Sequence, residues 1–296
     1  MLHFIVPLSS PPVQSLRTFL QSQGISSTLW KKLKTEGLLI VNSYRADQAT
    51  ILHPGDHVTA FYQSKTSVIP VDLPLKVLYE DEFLLIVDKP AGLLVHPVHQ
   101  ERDSTLANAV MFHYQKNQER LGFHPVIRLD RNTSGLVLIA KQAHIQHSLA
   151  ANRKHAIKKF YQAIIHGRLL PDRGIINAPI ARHPDSIIQR IVSPTGQPAI
   201  TVYRTIQQFD AASLLELELL TGRTHQIRVH LSYLGHPILG DDLYGGLCTL
   251  IQRQALHAAR LEFIHPVTDK ELSFESLLPQ DLNHLLSILS NSACFF

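Results

Sequence analysis

The stretch VIRLDRNTSGLVLIAK, residues 126–141, decides how the rest of the chain is read. It begins apolar and gathers Arg128, Asp130 and Arg131 beside the turn-forming Asn132, Thr133, Ser134 and Gly135. It ends in the apolar run LVLIA, 136–140. A short apolar run bounded by a turn reads as a buried strand. Asp130 therefore stands in a loop at the mouth of a strand. A carboxylate between two arginines is either an ordinary surface ion pair, worth under about 1 kcal/mol, or a tuned catalytic acid.

Outward from this stretch the chain is strand-rich with helices between. LKVLYEDEFLLIVDKP (75–90) gives a strand, a charged turn and a second strand ending at Lys89-Pro90. DSTLANAVMFHYQKN (103–117) reads as a capped helix with Leu106, Val110 and Tyr114 on one side. AHIQHSLAANRKHAIKKF (143–160) reads as one helix rich in His, Lys and Arg. FYQAIIHGRL and ELELLTG are strands. THQIRVHLSYLG (224–235) is a helix with Thr224 as N-cap, Ile227, Leu231 and Leu234 inward, and Gly235 as its stop. Hairpin-like strand pairs predict an α+β fold: a mixed, largely antiparallel central sheet with flanking helices and loops.

A polar stretch with two prolines, residues 63–74, reads as a linker. Before it, VQSLRTFLQSQG places Val13, Leu16, Phe19 and Leu20 on one helical face, with Gly24 as the cap. SSTLWKKLKTEG turns Leu29, Trp30 and Leu33 inward and Lys31, Lys32 and Lys34 outward, and Gly37 stops it. LLIVN and HVTAFY read as strands, with HPGD as a tight turn between them. The predicted boundaries are a small two-helix-plus-sheet domain over 12–62, the linker, and a large domain over 75–284.

Composition narrows the chemistry. The 296 residues carry a formal charge of +4, with 45% hydrophobic and 18% charged residues. That is the balance of a globular protein, and it permits a polyanionic partner. The two cysteines, Cys248 and Cys294, have no metal-binding spacing, and free thiols in a reducing cytosol are expected. No signal peptide and no apolar span are read, so a cytoplasmic protein is expected. There is no HExxH, no G-x-S-x-G and no glycine-rich nucleotide loop. His225 and His230 lie five apart. No metal and no cofactor are expected.

Four blocks put polar residues beside strand or helix ends: DKPAGLLVHP, IRLDRNTSG, KKFYQA and TGRTHQIRVHLSYLGHPILGD. In their order and spacing, with GQPAITVY and LHAARLEFIHP, they resemble the RluA/RluD-type family of RNA pseudouridine synthases over residues 75–280. Residues 12–62 resemble the alpha-L RNA-binding module first described in a ribosomal protein, through LRTFL, the Lys-rich helix, EGLLIVN and LHPGDHV. That module usually has an arginine early in its second helix, where this chain has SSTLWKK.

The resemblance implies the pseudouridine synthase fold and an enzyme that detaches uracil from ribose, rotates it and rejoins it through carbon. Asp130 matches the catalytic aspartate, acting as nucleophile or as a base on the ribose. Arg228 matches the arginine paired with it, and Tyr161 the tyrosine lying against the base. Arg128 matches the arginine that fills the space left by the flipped uridine. Thr133, Arg223, His225 and Gln226 are assigned to substrate binding. Lys31, Lys32, Lys34, Lys158 and Lys159 are assigned to RNA, although the first three, taken alone, read more simply as a solvated face. Arg153, Lys154, Lys158 and Lys159 form either a phosphate contact or a solvated helix end. Two positions depart from the family pattern: Ile127 replaces the usual His, and Asn132 stands where Asp is common. Ile127 is expected to pack beneath the loop. The partner is ribosomal or transfer RNA, and a monomer is the implied state. The other reading is a catalytically silent RNA-binding or ribosome-assembly protein. The intact Asp130, Tyr161 and Arg228 favour the enzyme, because a carboxylate repels RNA phosphates.

Overall fold

The computed structural model describes residues 2–10, 14–61, 67–151 and 156–291. Val13, Arg153, Lys154 and Cys294 lie outside them, as does part of the predicted linker.

The N-terminal unit runs β1 (Leu2–Ile5), β2 (Gln14–Ser15), α1 (Leu16–Ser22), α2 (Ser27–Glu36), β3 (Leu38–Val41), β4 (Tyr44–Arg45), β5 (Ile51–Leu52) and β6 (His57–Phe61). Both helices begin on serine caps: the Ser15 hydroxyl accepts from the Thr18 N–H and the Ser26 hydroxyl from the Leu29 N–H. Gly24, at φ +83°, makes the turn between them. Leu16, Phe19, Leu20, Leu29, Trp30 and Leu33 are buried as the helical period predicts. The HPGD turn forms, with Asp56 accepting the His53 N–H at 2.7 Å, but it joins β5 to β6. The sheet has the order β1-β6-β3-β4. Its edge strand β1 starts ten residues before the predicted boundary, and Leu2 and Val6 belong to the same core. Four residues with Pro7 close behind are too short a pattern to read as a strand.

The larger unit runs β7 (Lys76–Glu80), β8 (Leu84–Lys89), α3 (Leu106–Lys116), β9 (His124–Pro125), β10 (Ser134–Ala140), α4 (Ala143–Ala151) and β11 (Lys158–His166). It continues with β12 (Arg173–Asn177), β13 (Ile180–Arg182), β14 (Arg190–Val192), β15 (Ile200–Gln208), β16 (Ala212–Leu219), α5 (Gln226–Tyr233), β17 (Leu256–Ile264), β18 (Glu271–Glu275) and α6 (Gln280–Asn291). Ten strands form one sheet. Its main path is β12-β15-β16-β11-β17-β10-β8-β7, with β18 beside β17 and β9 beside β10. Its pairings are antiparallel except β10 with β17, which is parallel. Every residue of β10 is buried, as its unbroken apolar run requires.

The parallel contact is very short, Ser134↔His257 and Gly135↔Ala258. Gly135 has φ +110°, and a Cβ there would lie 2.2 Å from the Ala258 carbonyl oxygen. Only glycine fits, so this residue of the opening stretch seams the two halves of the sheet. The register around it forms a row across four strands: Tyr161 opposes Ala258, Ala258 opposes Gly135, and Gly135 opposes Lys89.

Two predicted helices are corrected and a further one is added. The helix from Ala143 gives way to a strand before Phe160: α4 ends at Ala151, and Lys158 and Lys159 open β11, which pairs on both sides with β16 and β17. His225, in the left-handed conformation at φ 57°, is the N-cap of α5, not Thr224. No side chain caps the helix start; the Gln226 N–H bonds the Arg223 carbonyl, and the Gln226 amide oxygen accepts from the Arg223 N–H and the Thr221 hydroxyl, which shapes the loop before the helix. Leu234 is the C-cap residue and is 37% exposed. Helix α6 was not anticipated. Its Leu282, Leu285 and Leu289 enter the main core, which therefore extends past residue 284.

Candidate active site

Residues 127–130 alternate in and out, as an extended segment does. Ile127 and Leu129 are buried in the main core, so Arg128 is left exposed and Asp130 half-buried. Ile127 thus packs beneath the loop as expected. The loop is anchored from below at successive carbonyls. Lys89 Nζ donates to the Arg131 carbonyl at 3.0 Å, and Arg253 Nη1 to the Asn132 carbonyl at 3.0 Å. The Thr133 N–H closes the turn on the Asp130 carbonyl.

The cation on Asp130 is neither flanking arginine. Arg131 pairs with Glu101. Arg228 Nη1 lies 3.1 Å from Asp130 Oδ2, brought there by α5 from 98 residues away. The Asp130 side chain is 28% exposed, so it is open to a substrate. Arg228 is itself gripped by Asp241, through Nε and Nη2 at 2.7 Å each. Asp241 is fully buried. Burial works against the guanidinium charge, but Asp241 and then Asp130 outweigh it and raise its pKa. Asp241 therefore fixes the plane of the guanidinium and leaves Nη1 for Asp130.

Tyr161 is buried on β11 at a register shift. Burial, reinforced by the negative charge of Asp130, raises its pKa, so its phenol is neutral at ordinary pH. Lys89 closes the row on the far side, 1% exposed, with its amine on the carbonyls of Pro90, Leu93 and Arg131. Burial pushes its pKa down to about 7, against the opposing pull of Asp130.

His225 turns Nε2 to within 3.8 Å of Asp130 Oδ2, and its Nδ1 meets the Tyr244 hydroxyl at 2.8 Å. Tyr244 also lies under the Arg228 guanidinium, 4.9 Å from its ring centre. Burial first, and then Arg228 and Arg190, lower the His225 pKa, with Asp130 and Asp241 acting against them.

Other assigned residues sit differently. The Gln226 amide is spent inside the protein on Thr221, Arg223, Ile200 and Thr201. It shapes the loop before α5 and has no edge left for substrate. Thr133 is buried, with its hydroxyl taken by Gln254. Arg223 is exposed, and its Nε donates to the Pro198 carbonyl. Lys31, Lys32 and Lys34 are exposed on α2. Lys158 is exposed and pairs loosely with Glu262 at 3.7 Å. Lys159 is partly buried beside Gly222, and burial lowers its pKa.

Sequence reasoning missed Lys89, Asp241, Tyr244 and Arg253. Two carried a legible signal: a lysine closing the apolar strand LLIVDK, and an aspartate ending the block HPILGD. Tyr244 and Arg253 carried none.

The comparisons with known proteins place the chain in a family. Residues 83–233 match the family model for RNA pseudouridylate synthase. The chain belongs to that family, and it is an RNA pseudouridine synthase, an isomerase acting on RNA. It is 41% identical over 268 residues to the uncharacterized RNA pseudouridine synthase YjbO of Bacillus subtilis, covering 89% of this chain and 95% of that one. It is 38% identical over 273 residues to ribosomal large subunit pseudouridine synthase D of Pseudomonas aeruginosa, covering 86% and 84%. Among solved structures, human RNA pseudouridylate synthase domain containing 4 superposes with a TM-score of 0.59 at 26% identity, covering 73% of this chain and 93% of that one. Among the described residues no helix is long and apolar enough to cross a membrane. None of their His, Cys, Asp and Glu side chains form a group of three that could hold a metal.

Proposed function

We propose that this enzyme converts uridine to pseudouridine in ribosomal RNA, with Asp130 as its catalytic carboxylate. The observation that carries the assignment of Asp130 is its pairing: a solvent-accessible carboxylate held 3.1 Å from a guanidinium that a second, buried carboxylate orients. A catalytic carboxylate has to stay ionised when RNA covers it, and a nearby cation opposes the pKa rise that burial brings. In either chemical route the carboxylate acts at the sugar: it attacks the anomeric carbon or removes a ribose proton. Tyr161 offers a ring for stacking against the base and a neutral hydroxyl that donates. Arg128, exposed on the same loop, occupies the space vacated by the flipped nucleotide.

The preference for ribosomal over transfer RNA rests on relatives named for the large ribosomal subunit. Residues 12–62 serve as an RNA-binding module that presents Lys31, Lys32 and Lys34, and the protein works as a cytoplasmic monomer.

The test uses RNA from a strain lacking the gene, labelled with tritium at uracil C5, the carbon that gains the new bond. Wild-type protein should release tritium to water and Asp130→Asn should not. Fractionation of the RNA names the substrate. No release from either protein, with ribosomal and transfer RNA alike, would favour a silent RNA-binding protein.

A further inference from the structure

The hydrogen bonds around His225 determine where its proton sits. The Tyr244 oxygen accepts the Arg190 N–H at 3.0 Å and meets His225 Nδ1 at 2.8 Å. A phenol has one proton. If Nδ1 carried hydrogen, the Tyr244 oxygen would accept twice and its own proton would face no partner. If Tyr244 donates to Nδ1, the phenol proton and both contacts of its oxygen are satisfied, and the imidazole proton is on Nε2. The other side of the ring agrees. Nε2 faces Asp130 Oδ2 at 3.8 Å, where a bare nitrogen lone pair would repel the carboxylate and an N–H is attracted.

That N–H has no bonded acceptor, because 3.8 Å exceeds hydrogen-bonding distance. It is therefore a donor held in reserve beside the catalytic carboxylate. Arg228 already commits three nitrogens to Asp241 and Asp130. His225 also keeps the left-handed backbone, φ 57°, at the first cap of α5. That conformation is uncommon for a residue with a side chain, and here it aims the ring at Asp130.

We propose that Tyr244 locks His225 in the Nε2–H form, and that this neutral donor binds a carbonyl oxygen of the uracil base as it leaves the sugar. The inference rests on the synthase reading given above. When the bond between C1′ and N1 breaks, its electron pair stays on the uracil and spreads to the ring oxygens. This holds whether Asp130 attacks C1′ or removes a ribose proton. The detached base is then an anion next to the Asp130 carboxylate, and a donor aimed at the developing charge lowers the barrier. No proton moves to or from His225. The later loss of the C5 proton is a separate event. The groups facing the ring are Asp130, Arg228, Arg190, Asp241 and Tyr244, and burial with the two arginines keeps it neutral near pH 7.

Nitrogen-15 NMR of the full-length protein reads the proton position directly, with the His225 signals assigned by their loss in His225→Asn. The expected spectrum shows Nε2 protonated and Nδ1 bare, and Tyr244→Phe should mix the two forms. In the tritium assay His225→Asn, which tolerates the left-handed backbone but shortens the reach, should lower kcat about 100-fold with KM little changed. His225→Gln, whose amide restores a donor near the Nε2 position, should recover part of that loss. A protonated Nδ1 overturns the proposal. So does a His225→Asn enzyme with full kcat when Asp130→Asn is dead, which leaves the synthase reading standing. A wild type that releases no tritium overturns the synthase reading, and this proposal with it.

Discussion

At the residue scale the site is a chain of carboxylates and cations: Asp241, Arg228, Asp130. Its two ends do different work. Asp241 is fully buried and orients Arg228, whereas Asp130 meets solvent, where the proposed reaction needs its carboxylate. Removing a single partner of a buried pair leaves an uncompensated charge, which costs about 3–5 kcal/mol, while replacing both by apolar groups is often neutral. Arg228→Met should thus lower stability by about that much in urea titrations and abolish tritium release. The double variant Arg228→Met with Asp241→Leu should regain most of the stability and none of the activity. A double variant that recovered activity would show that Arg228 does no more than neutralise Asp241. The setting of Asp130 between arginines left its role open, and it was the family resemblance that singled out both Asp130 and its partner Arg228. Of the two neighbours in sequence, Arg131 pairs with Glu101 and Arg128 is exposed, and the cation comes from α5.

At the scale of elements, the seam between β10 and β17 holds the catalytic loop in place. Gly135 occupies it because nothing larger fits against the Ala258 backbone. Gly135→Ala adds both a clash and a disfavoured φ, and should cost at least about 3 kcal/mol, read as a lowered urea midpoint. A variant of unchanged stability would mean that the seam can open without loss. The second anchor is α6, whose Asp281 grips Arg253 at 2.6 and 3.0 Å while Arg253 holds the Asn132 carbonyl. Burial would raise the Asp281 pKa, but Arg253 outweighs it and the net shift is downward from 3.8. A carboxyl whose folded pKa is depressed contributes stability above its unfolded value and loses it as pH falls through the folded value. Asp281→Asn should therefore melt below wild type at neutral pH, by about 1 kcal/mol, because Asp281 is half exposed and water screens its charge. The gap should close as pH drops below 3.8. A gap that persisted in acid would assign the effect to helix packing instead.

At the scale of the whole molecule, the N-terminal unit keeps its own core and still touches the catalytic unit. Phe4 packs edge-on against His144 of α4, and Ala143 joins the small core. In the proposed reading the exposed lysines of α2 supply a second contact region for RNA. Changing Lys31, Lys32 and Lys34 together to Glu should weaken RNA binding and flatten its salt dependence by about 2–3 in the log–log slope. At saturating RNA, kcat should hold. Filter binding across a salt series measures the first and tritium release the second. An unchanged slope would return these lysines to the role of a solvated helix face.

Periodicity alone marked what local physics controls: the buried strand β10, the apolar stripes of α1, α2 and α3, and the glycine stops after α1, α2 and α5. Those features depend on neighbours a few residues apart, so the chain displays them directly. The carboxylate was visible too, but as a candidate only, which the family resemblance and not the local pattern assigned to catalysis. Only tertiary structure could show how Arg228 reaches Asp130, that Lys158 and Lys159 begin a strand, and that Gln226 spends its amide on the fold. Each of these is settled by a partner that folding brings from a distant part of the chain. Arg228 is carried to Asp130 by a helix, two strands take up β11 from either side, and Gln226 bonds to β15.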